Sequence, residues 1–152
     1  MKLAEALIQR AELKTQCEQI VSRMRSWVLV QEGDEKGEDV DELAMVYESK
    51  MEELERLIIR INKTNNSAIL DDASLASAIA VRDCIKAKIV AYTRVKESAT
   101  PNDRRRRYST SEIRYLRTTD ISQLQKKLDD LSKQYRQLDV RIQACNWNTE
   151  LF

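Results

Sequence analysis

The sequence predicts an all-α protein: four long amphipathic helices in a bundle of two helical hairpins, with a long irregular loop before the fourth helix, in a single domain over residues 1–152. Apolar side chains recur at spacings of three and four along four separate stretches, the period of a helix with one buried face. The chain holds only two Gly and one Pro, too few breakers for a sheet protein. Charged residues make up 34% and aromatic ones 5%, which suits long helices with solvated outer faces.

Helix 1 is expected over Lys2 to Val30, with Leu3, Ala6, Leu7, Leu13, Cys17, Ile20, Met24, Trp27 and Val28 on one face. Its end, Trp27 to Val30, is more apolar than its beginning, the pattern of a helix end packed on a neighbouring helix or a second subunit. Gly33 to Glu38 places both glycines among acidic residues and reads as an exposed turn. Asp39 and Glu42 have the spacing of a capping box for helix 2, which is expected to reach Asn62. Leu43, Tyr47, Met51, Leu54, Ile58 and Ile61 form its buried stripe, widened by Leu57. Between Glu32 and Glu55 eleven acidic residues face only Lys36 and Lys50, a local net charge of −9 that reads as a solvated face.

The polar run Asn62 to Asn66 predicts the end of helix 2, because short amide and hydroxyl side chains bond their own backbone. Ser74 is the expected cap of helix 3, Leu75 to Glu97. Its apolar arc is the broadest, with Leu75, Ala78, Ile79, Val81, Ile85, Ile89 and Tyr92, so it is expected, with helix 4, to be the most buried element. From Ser98 to Thr119 the periodicity stops. Thr100 to Asp103 is loop chemistry, Arg104 to Arg107 is a basic run followed by Tyr108, and Ser109 to Arg117 fits a short extended segment, while Ser109 to Glu112 also fits a short capped helical turn. Helix 4 is the clearest element. Asp120 and Gln123 form a capping box, and Ile121, Leu124, Leu128, Leu131, Tyr135, Leu138, Ile142 and Cys145 form its stripe. The tail should fray or dock through Trp147, Leu151 and Phe152.

Several function classes drop out on composition. There is no His, which removes Ser-His and Cys-His nucleophile systems and the commonest metal ligand. Cys17, Cys84 and Cys145 are widely spaced in helical segments without a Cys-x-x-Cys pair, so they are read as small, mostly buried thiols in a reducing compartment. The opening Met-Lys-Leu-Ala-Glu-Ala-Leu-Ile lacks the features of a signal peptide, and no uncharged run is long enough to span a bilayer. A cytoplasmic location is expected.

Two segments echo each other. Arg60 to Asn65 and Arg141 to Asn146 both read Arg, Ile, amide, any residue, small residue, Asn, each near the close of a helix. Arg and Asn there can satisfy the last helix carbonyls, or line a small polar ligand site. Arg60, Asn62, Asn65, Glu112, Arg114, Arg141, Asn146 and Trp147 are the candidate residues for such a ligand or interface site. The opening Met-Lys-Leu-Ala-Glu-Ala-Leu, the run Leu54 to Asn65, the segment Tyr108 to Arg114 and the close Asp139 to Trp147 together resemble a family of small bacterial helical proteins, some of which carry the label septicolysin. The resemblance implies a helical fold and a bacterial source but no established reaction. This chain departs from it at Cys145, where Thr is common, and in its denser arginine run.

The residues point first to a non-enzymatic bundle that acts through assembly or partner binding, with a homo-oligomer as the expected state, since a residual heptad-like face is commonly completed by a second subunit. RNA or single-stranded DNA binding through the 104–117 loop is the alternative, with Arg104, Arg105, Arg106, Arg107 and Tyr108 as contacts. A net charge of +1 disfavours it. A septicolysin-like cytolysin is the third reading, and a membrane partner is disfavoured by the charged outer faces. No catalytic set, metal or cofactor is expected; Glu112 beside Arg114 and Tyr115, facing Arg60 and Arg141, is the nearest approach to one.

Overall fold

The structure, a computed structural model, describes residues 1–33, 37–99 and 116–152. Among them are four helices, α1 (Leu3–Trp27), α2 (Val40–Ser67), α3 (Leu75–Ser98) and α4 (Ile121–Asn148), and a two-stranded antiparallel ribbon of β1 (Ile69–Leu70) and β2 (Ala73–Ser74). The described residues are all-α apart from that ribbon. Its contacts divide it into two compact units, one of Met1–Ala76 with Gln143–Phe152 and one of Ser77–Ile142. The basic run Arg104 to Arg107, Tyr108, and the choice between strand and turn for 109–117 fall largely or wholly outside the described residues.

In the first unit α1 packs on α2. Leu3, Ala6, Leu13, Cys17 and Ile20 of α1 and Leu43, Leu54, Leu57 and Ile61 of α2 are buried, each set on one helical face. Fully burying such an aliphatic side chain contributes roughly 1.5–3 kcal/mol before entropy is counted. Asp39 caps α2 as its spacing predicts, its Oδ1 accepting from the Asp41 and Glu42 amides at 2.8 and 3.2 Å. At the start of α1 the Glu5 carboxylate accepts from the Lys2 amide at 2.7 Å.

Two expectations are corrected here. Among the described residues no neighbouring helix of the chain covers the apolar end of helix 1: the helix stops at Trp27, and Val28, Leu29 and Val30 are 68, 86 and 44% exposed. The chain turns back at this level, where the Arg23 Nε donates to Glu38 Oε2 at 2.8 Å and the Trp27 ring lies against Gly37. The second correction is the end of helix 2, which runs past the Asn-rich stretch to Ser67. Thr64 and Ser67 donate back to the Arg60 and Lys63 carbonyls at 2.9 and 2.5 Å, staying within the helix instead of breaking it. Thr64 is wholly buried, so tertiary packing overrides local propensity.

Chain direction then reverses in two residues. Asp71 and Asp72 have φ of 49° and 65°, the left-handed pair that a two-residue hairpin turn needs. Ile69 pairs with Ser74 and Leu70 with Ala73, and the Leu75 amide donates to Ala68 O at 2.8 Å.

The second unit pairs α3 with α4 antiparallel. Arg82 Nη1 donates to Asp139 at 3.1 Å, Lys127 Nζ to the Tyr92 hydroxyl at 2.9 Å, and Lys96 Nζ to Gln125 at 2.5 Å, so positions rise on one helix as they fall on the other. Ala78, Ile85, Leu128 and Ile142 are its buried side chains. The α4 stripe is buried or half-buried at all of its eight positions. Asp120 caps it, accepting from Ser122 and Gln123 at 2.8 and 3.3 Å. Helix 3 is not the buried element its broad arc predicts. Val81, Val90 and Val95 are 54, 43 and 50% exposed, and fewer side chains are buried in α3, and likewise in α4, than in α1 or α2. Cys84 is likewise exposed, whereas Cys17 is buried and Cys145 half-buried; none is paired.

Candidate functional site

The first candidate is the polar end of the first unit, where α2 meets the last turn of the chain. Arg60 Nε donates to Phe152 O at 2.7 Å, and the Phe152 amide donates to Thr64 Oγ1 at 3.1 Å. The Lys63 ammonium stands 5.6 Å from the centre of the Phe152 ring. On its other side the same segment is stitched to the opening of the chain, with Leu3 N to Thr149 O and Leu151 N to Met1 O both at 2.9 Å and Lys2 Nζ at 2.7 Å from Glu150. The tail therefore docks through main-chain hydrogen bonds, while the Trp147 and Phe152 rings stay 54 and 59% exposed. Lys2, and then the Met1 amino group, hold the Glu150 carboxyl below the usual range.

Of the residues expected to form a ligand site, Arg60, Asn65 and Asn146 belong to this unit in informative positions. Asn146 is 4% exposed, and both its Oδ1 and that of Asn65 are buried with no donor among the described residues. A buried acceptor left without a donor costs about 1–3 kcal/mol, so each oxygen is a point where a small donor would bind with gain. Asn62 and Trp147 are exposed, Arg141 falls in the other unit, and Glu112 and Arg114 lie outside the described residues. Thr64 was not among the expected residues. The echo did carry the signal: Thr64 and Cys145 are its matching small positions, and Cys145 Sγ lies 3.6 Å from Thr149 Oγ1.

The second candidate is the outer face of α2. A shallow groove there is lined by Glu48, Met51, Glu52, Leu54, Glu55, Ile58 and Ile59. Met45, Met51 and Ile59 are 70, 37 and 58% exposed, so apolar side chains stand in water among three carboxylates. Surface pairs do little to neutralise them: Glu52 is 3.9 Å from Arg56, a separation at which exposed ion pairs contribute little.

Charge is segregated between the units. The first carries 10 basic and 17 acidic residues, net −7; the second carries 16 and 8, net +8, and together they give the near-neutral total. On α3 the Lys127 hydrogen bond and charge, with help from Lys88, draw the Tyr92 phenol below its ordinary range. The Lys127 ammonium sits 4.3 Å from that ring's centre. Among the described residues no cluster of His, Cys, Asp or Glu could hold a metal ion, and no helix is long and apolar enough to cross a membrane.

A family model described as a family of unknown function, DUF6847, matches residues 10–151. The crystal structure of a functionally unknown conserved protein from Corynebacterium diphtheriae is similar over 100% of this chain and 99% of that one, with 38% identity and a TM-score of 0.90. No curated protein matches.

Proposed function

The chain belongs to the family of unknown function DUF6847, and on that footing we propose that it is a non-enzymatic binding protein whose outer α2 face receives a basic amphipathic helix. The carrying observation is the mixture of exposed Met45, Met51 and Ile59 with Glu48, Glu52 and Glu55 on one helix face. An apolar strip framed by carboxylates suits the helix-in-groove mode, in which apolar anchors supply affinity and charge selects the partner. The absence of His supports a binding role over acid–base catalysis. Three unpaired cysteines support a cytoplasmic setting. A lytic role, as the septicolysin label would have it, needs an apolar face free to enter lipid, and three carboxylates on the α2 face count against it.

The test is titration of a labelled lysine–leucine amphipathic helical peptide. Binding near micromolar strength is expected at low salt, weakening as salt rises, and about tenfold weaker in Met51→Lys with Ile59→Lys. No binding at low salt overturns the reading. Nucleic-acid binding stands as a second reading because the second unit has a net charge of +8. It requires RNA or single-stranded DNA affinity that falls linearly with salt on logarithmic axes.

A further inference from the structure

Resting on the reading of α2 as a docking face, we propose that its occupant is α3 of a second copy of this chain. The observation is a pair of matching exposed stripes. On α2, Met45, Glu48, Glu52, Glu55 and Ile59 follow one another at spacings of three, four, three and four, and all five are exposed. On α3, Val81, Cys84, Lys88, Ala91 and Val95 repeat the same spacings, and again all five are exposed. Each stripe covers fourteen residue steps, about 21 Å of helix. Alternation of three and four is the seam of two helices packed side by side, and a seam left in water is normally completed by another helix.

Chemistry matches along the stripes as well. Both end in aliphatic or thioether side chains, Met45 and Ile59 at 70 and 58% exposure and Val81 and Val95 at 54 and 50%. Between its ends α2 carries three glutamates, whereas α3 carries Lys88 flanked by Cys84 and Ala91, small enough to let another helix approach. Pairing α2 with α2 sets glutamates against glutamates, and pairing α3 with α3 sets lysine against lysine. The mixed pair joins opposite charges, and it also brings a unit of net −7 to one of net +8.

Two variants separate the halves of the seam: Met45→Gln with Ile59→Gln, and Val81→Gln with Val95→Gln. All four positions are exposed, so unchanged helical circular dichroism is the folding control. Sedimentation velocity should show concentration-dependent association of the parent chain, and association at least about tenfold weaker for each variant alone. An equimolar mixture of the two should regain strength, because one intact α2 then meets one intact α3. Alkylation of Cys84 should slow several-fold in concentrated parent protein and recover on dilution. A parent chain monomeric at every concentration overturns the proposal, as does association lost by the α2 variant but kept by the α3 variant. Peptide capture by a monomeric chain would retain the docking face and remove the second copy; loss of peptide binding would remove the face itself.

Discussion

Thr64 is the side chain on which the end of the first unit closes: one hydroxyl donates to Arg60 O and accepts from the Phe152 amide, in a site with no exposure. Thr64→Val keeps the shape and leaves the Phe152 amide without its acceptor. The expected cost is about 1–2 kcal/mol in urea unfolding, with no change in helix content. Asn146 predicts the opposite sign. Its buried amide oxygen has no donor among the described residues, so Asn146→Leu should be neutral or stabilise by about 1 kcal/mol. A loss of several kcal/mol in the same urea unfolding would overturn that expectation. Two carboxyls are expected to contribute to the acid limb of stability. A hydrogen bond from Arg23, first, and the charge of that guanidinium depress Glu38, and Lys2 does the same for Glu150. Since the folded values lie below the unfolded ones, their stabilisation is present above the ordinary carboxylate range near about pH 4.3 and disappears as pH falls through the folded values. Melting followed against pH should show that loss, and Glu38→Gln should flatten it.

Helix ends show where sequence reading succeeds and where it stops. Asp39 and Asp120 announce their helices because a cap is a local device, one side chain and two amides within three residues. Asp120→Ala should lower stability by about 1 kcal/mol, measured by thermal unfolding. The Asn62–Asn66 run pointed to a stop, yet α2 continues to Ser67 because the Phe152 segment, distant in sequence, buries Thr64 from outside. Gly37 belongs to the same class. Its necessity comes from the Trp27 ring against it, which leaves no room for a Cβ. Gly37→Ala should cost about 1–3 kcal/mol unless the ring swings away, a movement that Trp fluorescence would report. The hairpin turn at Asp71 and Asp72 is likewise faint in the sequence, since Asp-Asp is a weaker signal for two left-handed residues than Asn-Gly.

At the scale of the molecule, the decisive property is invisible in the total. A net charge of +1 conceals units of −7 and +8, because residues far apart in sequence, Met1–Ala76 and Gln143–Phe152, gather on one side of the account. If copies associate through opposite charges, the dissociation constant should rise about tenfold between 0.05 and 0.5 M salt, checked by sedimentation. Salt-independent association would instead show that opposite charges do not drive it.

What the sequence determined alone is what a single helix can know: its period, its cap and the stripe it buries, all set within a few turns of chain. Four helices, and the α4 stripe from Ile121 to Cys145, follow from that period. Tertiary structure decided which apolar positions are left over. Val81 looks like core in a periodic reading, because a side chain's hydrophobicity does not say whether a neighbour covers it. That is settled by the paths of other helices, and those paths leave α2 and α3 each with an exposed seam.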